Sequence, residues 1–307
     1  MNERFAAEPE VSRGWLALKH LLQHFGPLNG RYLTAYPRDW RAKVESLNGT
    51  LGEMDLKRVK SLLESAREGM QIISAPSLPY RDELSWLENA VALLNEVPRR
   101  LDGVVTDEKP VKPPHTRVFQ LHELALPPAA EERIFATPRE YVRVSKTLLL
   151  ATPELCFVDP FLNPCERNVS DVLAEMFEVA VNARCESIVC WAKASILLDK
   201  KTGRHKYMPD DIRRALDSVV PPTRKSLKVV LNLVDDSRGV EPKMHGRYLL
   251  SRPGGIRFEL GFQALPRGRK VDVGPITARA TLDEDLDLYH VKYSPFRIKH
   301  QIRISRG

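Results

Sequence analysis

The stretch Leu155-Cys-Phe-Val-Asp-Pro-Phe161 decides the fold. Four apolar residues end at Asp159-Pro160, the punctuation that closes a buried strand, and the pattern repeats downstream with helices between the strands. Ser170 stands as an N-cap before Val172, Leu173, Met176, Phe177, Val179 and Ala180, whose spacing predicts an amphipathic helix. Ser187-Ile-Val-Cys-Trp-Ala192 is a second buried strand, Pro209 to Val220 a helix with a basic face, and Leu227 to Val234 a third strand. Gly246 to Ser251 and Ile256 to Leu260 read as two further strands joined at Gly254-Gly255, which suits a hairpin turn. Val142 to Leu150 reads as a short helix or strand before the first of these. Strand and helix alternating in this order predict an α/β fold with a mixed sheet flanked by helices. Ligands of such sheets gather at the carboxyl ends of the parallel strands, where Asp159 would lie.

Upstream the pattern is helical. Trp15, Leu16, Leu18, Leu21, Leu22 and Phe25 fall near helical spacing before Gly26-Pro27. Leu56, Val59, Leu62, Leu63 and Ala66 form a second stripe, and Leu84, Leu87, Val91 and Leu94 a third. These predict an N-terminal helical domain over 1–97, in which Phe25 to Trp40, with its glycines, prolines and aromatics, is a packed connection or a recognition loop. Pro110, Pro113, Pro114, Pro127, Pro128 and Pro138 predict a proline-rich linker over 98–137, whose patch Thr116 to Leu121 could pair with a sheet edge. The domain that carries the strands then runs over 138–307.

The 307 residues carry 47 Lys and Arg against 40 Asp and Glu, a formal charge of +7 that favours anionic partners. Between Arg252 and Lys270 five cations (Arg252, Arg257, Arg267, Arg269, Lys270) meet the single acid Glu259, and the last eleven residues add Arg297, Lys299, His300, Arg303 and Arg306. No apolar run approaches the roughly 18 residues of a membrane helix, and the acidic start lacks a signal-peptide core, so a cytoplasmic protein without a transmembrane segment is expected. Cys156, Cys165, Cys185 and Cys190 form no Cys-x-x-Cys pair and read as buried reduced thiols. His20 and His24, four apart on one helix, lack a companion carboxylate and read as a surface pair. No P-loop, His-Glu-x-x-His or Gly-x-Ser-x-Gly run is present, and neither metal nor cofactor is expected.

The best marked site is Lys243-Met-His-Gly-Arg247. In extended chain residues i and i+2 share a face, so His245 and Arg247 could meet one phosphate, the imidazole as nucleophile or proton shuttle and the guanidinium as a bidentate clamp. Lys243, Arg252, Arg257, Arg267, Arg269 and Lys270 are the candidate phosphate- or nucleic-acid-binding cations around them. His205, in the basic run Lys200 to Lys206, is an exposed loop residue or a further phosphate contact.

The order Phe-Val-Asp159-Pro-Phe161, then Met-His245-Gly-Arg247-Tyr-Leu-Leu-Ser, then Gly254-Gly255-Ile256 resembles the phospholipase D-like superfamily. It is most similar to the single-lobed branch that includes the C-terminal domain of microtubule-interacting-and-trafficking proteins and bacterial relatives, over residues 140–300. The resemblance implies a site built from His-x-Lys, four residues and Asp, with one histidine as covalent nucleophile and another as acid. Carried over, His245 takes the histidine position, Arg247 the lysine position and Arg252 the aspartate position, an incomplete motif for which Asp159, Asp235 or Asp236 could supply the carboxylate. With one half-motif per chain, hydrolysis would require a homodimer. Three readings follow: a phosphate- or nucleic-acid-binding component of a bacterial phage-defence or mobile-element assembly with a degenerate site; a homodimeric, metal-independent phosphodiesterase or nuclease using His245 and Arg247 of each chain; and a non-catalytic adaptor whose N-terminal domain docks other proteins.

Overall fold

In the computed structural model, residues 3–74, 78–96, 100–108, 117–124, 126, 130–183, 185–199, 201–223, 226–266 and 268–307 are described. They form two compact units, Met1–Ala129 and Ala130–Gly307, and the α/β class expected from the sequence holds for both.

The first unit departs from the helical domain expected for 1–97. The helices are present as α1 (Trp15–Leu22), α2 (Trp40–Leu47), α3 (Glu53–Glu68) and α4 (Trp86–Asn95). They surround a sheet that the periodicity did not announce: β1 (Glu3–Ala7), β2 (Arg31–Ala35), β3 (Ile72–Ser74), β4 (Gly103–Val105) and β5 (Val118–Phe119). All neighbours are parallel and the order is β3-β2-β1-β4-β5. On β1, Phe5 and Ala7 pack with α1, α2 and α3, while Ala6 packs with α4 and Tyr36. A strand covered on both faces loses the alternation that marks a half-exposed one, and two to five residues are too few to show a period.

Local chemistry accounts for the elements. The Ser85 hydroxyl accepts the Glu88 amide (3.2 Å) and the Glu88 carboxylate accepts the Ser85 amide (2.8 Å), a reciprocal cap that starts α4. Gly103 pairs with Phe5, and a Cβ there would lie 2.2 Å from the Phe5 ring, so only glycine lets that ring cover the neighbouring strand. The expected linker is therefore part of two sheets: β4 and β5 belong to the first unit and β6 (Glu132–Phe135) to the second. Val118 and Phe119 do add to a sheet edge; Thr116 lies outside the described residues.

The second unit is a mixed eight-stranded sheet, ordered β13-β9-β8-β7-β10-β11-β12-β6. Its parallel centre is β7 (Glu154–Val158), β8 (Ser187–Lys193) and β9 (Leu227–Val234). On one side β10 (Tyr248–Ser251), β11 (Gly254–Phe258), β12 (Lys270–Pro275) and β6 add antiparallel, and on the other β13 (Ile298–Arg306) closes the sheet antiparallel to β9. Helices α5 (Pro138–Ala151), α6 (Arg167–Ala183), α7 (Pro209–Val219) and α8 (Arg279–Leu288) cover it. Phe157 meets Phe177 of α6 and Phe262 on one face, while Trp191 meets Tyr289 and Phe296 on the other.

Three local expectations change. Helix α6 begins at Arg167, and Ser170 lies inside it with its hydroxyl bonded to the Arg167 carbonyl (3.1 Å) instead of capping it. Gly254 and Gly255 are strand residues, and the hairpin turn is Arg252-Pro253. A Cβ on Gly255 would stand 2.7 Å from the terminal methyl of Ile276, so a larger residue there would push that side chain aside. Strands β12 and β13 and helix α8 have no counterpart in the periodic reading. No helix among the described residues is long and apolar enough to cross a membrane.

Candidate functional site

The carboxyl end of β7 builds the site. The Asp159 amide bonds the Trp191 carbonyl (3.1 Å), continuing the ladder to β8, and the chain then turns. One Asp159 carboxylate oxygen accepts the Phe161 amide (2.9 Å) and the other the Phe262 amide (3.0 Å). The first bond is an Asx turn, closed by the Leu162 amide on the Asp159 carbonyl (3.0 Å). The second reaches the chain beyond β11 at Gly261, whose φ of +73° and whose would-be Cβ, 2.0 Å from the carboxylate, admit glycine alone. Asp159 is 2 % exposed, and burial raises its pKa against the opposing pull of the two amides and Arg247. With an amide on each oxygen, Asp159 is a structural clasp at the edge of the site.

The clasp projects Phe161, whose side chain is 45 % exposed. The Lys193 amide holds the Pro160 carbonyl (3.1 Å), so the turn is pinned from β8 as well. Arg247 and Lys193 lie over the ring, Arg247 Cζ at 5.6 Å and Lys193 Nζ at 6.0 Å from its centroid. Arg247 Nε is buried without a hydrogen-bond partner, and among the described residues no carboxylate forms an ion pair with Arg247 or Lys193.

His245 is exposed and follows the buried Met244. Gly246 separates it from Arg247, and a Cβ there would meet the Tyr248 ring at 2.3 Å and the Tyr289 hydroxyl at 2.7 Å. The Phe258 amide bonds the Arg247 carbonyl (2.9 Å), which keeps this segment extended. His245 and Arg247 border a cleft of about 370 Å³ whose other wall includes Arg257, Glu131, Glu259 and Asp272. The structure thus brings His245, Arg247 and Asp159 to one edge of the sheet. Among the described residues no carboxylate is hydrogen-bonded or ion-paired to His245. Asp235 is held by the Ser237 hydroxyl (2.6 Å) and amide (3.1 Å), which lower its pKa, and an Asp236 oxygen accepts the Ser195 amide (3.1 Å).

The surrounding cations separate. Arg257 pairs with Glu131 across the cleft, and Lys243 Nζ bonds the carbonyls of Ser237 (2.7 Å) and Asp236 (3.3 Å), fastening a loop. Arg252 sits in the β10–β11 turn, five residues and about 17 Å of extended chain from Arg247. The position that the motif gives to aspartate therefore lies at the opposite end of β10 from His245. Lys270 lies against Phe135 (4.9 Å), and Arg269 borders a different hollow with Arg139 and Arg143. Arg267 lies outside the described residues. His205 is exposed in a loop that the Asp199 carboxylate closes on Lys201 and Thr202.

Sequence reading missed Lys193 and the part played by Phe161. The available signal was a lysine at the end of the strand next to Asp159. Elsewhere, Cys185 and Cys190 are buried and Cys156 and Cys165 partly so, all four free, with burial pushing their thiols up. The His20 and His24 rings meet edge to face at 5.2 Å, and no cluster among the described residues could hold a metal ion.

No protein-family model matches this chain, and no curated protein matches it. Among solved structures it is similar to TrmBL2, an archaeal chromatin protein whose structure is described as showing a novel mode of DNA binding. The identity is 12%, the TM-score 0.28, and the match covers 91% of this chain and 93% of that one. A likeness of that size carries no weight for fold or function.

Proposed function

We propose that this protein binds a phosphate-bearing polymer, nucleic acid, at the carboxyl edge of β7 and β8, and does so without cleaving it. The carrying observation is the convergence of Arg247 and Lys193 on Phe161 with no carboxylate among the described residues paired to either cation, while Asp159, which feels the charge of Arg247, has both oxygens engaged by backbone amides. Arginine offers a planar fork to phosphate and cannot give up its proton, so the arrangement suits recognition better than acid catalysis. His245 at the rim adds a hydrogen-bonding group. The resemblance to single-lobed phospholipase D-like proteins belongs to this reading, as does a place in a bacterial multi-protein assembly.

The test is the salt dependence of binding. Log affinity for an oligonucleotide should fall linearly with log salt, and Arg247→Ala and Lys193→Ala should each lower the slope by about one. An affinity that stays flat between low and moderate salt would overturn the proposal.

A second reading, the homodimeric phosphodiesterase, draws on one observation: His245 is exposed beside an open cleft, where a second copy could bring its own. It requires metal-independent cleavage that vanishes in His245→Ala; cleavage that persists in that variant excludes it.

A further inference from the structure

The basic run that follows β8 is held in one shape by its own backbone. From Lys193 the chain makes a short helical turn (Ala194–Leu197) and then a tight hairpin, in which Leu198 bridges His205 and the Asp199 amide bonds the Arg204 carbonyl (2.8 Å). Gly203, at φ +68°, is the left-handed residue of the turn, and its amide bonds the Asp199 carbonyl (2.8 Å). The Asp199 carboxylate accepts the amides of Lys201 (3.0 Å) and Thr202 (2.8 Å), so the acid of the hairpin is engaged by the hairpin itself. Lys201, Arg204 and His205 are exposed, and among the described residues no carboxylate forms an ion pair with any of them. The hairpin is also fastened to the chain between Phe161 and α6. Lys206 Nζ (2.7 Å) and the Tyr207 hydroxyl (3.0 Å) both donate to Glu166, and the Asn163 side-chain amide donates to the Ile196 carbonyl (3.4 Å).

Resting on the proposed function, we infer that this hairpin is a second arm of the nucleic-acid site: Lys201, Arg204 and His205 take phosphates beyond those held by Lys193 and Arg247, and one strand runs from the sheet edge onto the hairpin. Both arms hang from the carboxyl end of β8, since Lys193 is its last residue and the hairpin begins at Leu198, five residues on. The acids of the cleft lie the other way. Asp272 is on β12 and Glu259 follows β11, which are separated from β8 by β7 and β10 in the strand order, so a strand that leaves Arg247 towards β8 does not cross them. Of the acids after the hairpin, Asp211 is held by Arg214 and the Met208 amide, which leaves Asp210 as the acid that Lys201 and Arg204 outnumber. A basic loop already fixed by its own hydrogen bonds loses little freedom on binding, which favours a contact over a solvated tail of the same charge.

The test titrates a fluorescent twenty-nucleotide thymidine strand against the intact chain and against the double variant Lys201→Ala with Arg204→Ala, over a range of salt. Both residues join the hairpin through backbone groups, so the double variant keeps its fold, which circular dichroism checks against the parent. Its affinity should fall about tenfold at low salt, and its slope against log salt by about 1.4, from two phosphate contacts at roughly 0.7 each. Lys201→Arg with Arg204→Lys keeps both charges and should retain the parent slope. The parent should take one strand per chain, because both arms hold the same strand. An unchanged slope in the double variant, with Arg247→Ala still weakening binding, would overturn the inference and leave the proposed function standing. Two strands per parent chain, falling to one in the double variant, would also overturn it, since the hairpin would then be a separate site. Failure to retain the strand at low salt would overturn both.

Discussion

Arg247 and Asp159 occupy the same level of the β7–β10 pair, one position beyond the partners Val158 and Tyr248, yet the carboxylate turns to backbone amides and the guanidinium to the Phe161 ring. The attraction between them lowers the cost of burying Asp159 without neutralising Arg247 through a direct bridge. This division of labour, an acid that holds backbone amides and a guanidinium that lies over the Phe161 ring, sets how variants at this edge behave.

Asp159→Ala removes the acceptor of two amides and should destabilise the chain by about 2 to 4 kcal/mol in chemical denaturation. Asp159→Asn keeps one carbonyl oxygen and should lose about half as much. If Asp159→Ala unfolds at the parent denaturant concentration, the clasp is not structural.

Gly261→Ala should be as damaging as Asp159→Ala, for two reasons that act together: the left-handed backbone at φ +73° and the 2.0 Å approach to the Asp159 carboxylate. The double variant Gly261→Ala with Asp159→Ala should then cost less than the sum of the two, because the steric part disappears with the carboxylate.

Arg252→Ala should leave oligonucleotide affinity within twofold of the parent, whereas Arg247→Ala should weaken it roughly tenfold at low salt. The contrast separates site geometry from motif alignment, which gives both arginines a place. Equal losses in an anisotropy titration would return Arg252 to the site.

Asp285 on α8 has its pKa raised to about 6, first by burial and then by Glu284. Its folded value exceeds the unfolded one near 4, so its contribution to stability is fully present below about pH 4 and is lost as the pH rises through 6. Asp285→Asn should therefore stabilise the chain by about 1 to 2 kcal/mol at pH 8 and by nothing at pH 4, read from denaturation midpoints at the two values. A gain of the same size at both would show that the carboxylate charge is not the cause.

Much of the second unit was legible in the residues. Leu155 to Val158, Ser187 to Ala192 and Leu227 to Val234 are long apolar runs bounded by turn signals, and each is a strand of the parallel centre. Helices α1, α3 and α4 declared themselves by spacing, and His245, Arg247 and Asp159 do share one sheet edge. The strands of the first unit were hidden because they are short and buried on both faces, as Ala6 and Ala7 show on β1. Ser170 misled because a good N-cap residue is also tolerated inside a helix when its hydroxyl can bond back to the preceding turn.

Apolar runs and turn residues by themselves determined that this is an α/β protein with an imidazole and a guanidinium close together, since burial and backbone conformation act over a few neighbouring residues. Tertiary structure alone decided which charges meet. Lys193 is 54 residues from Arg247 in the chain and reaches the same ring because β8 and β10 both border β7, while Arg252, only five residues from Arg247, is carried away by the extended strand between them. Proximity in sequence follows the chain, and proximity in charge follows the strand order of the sheet.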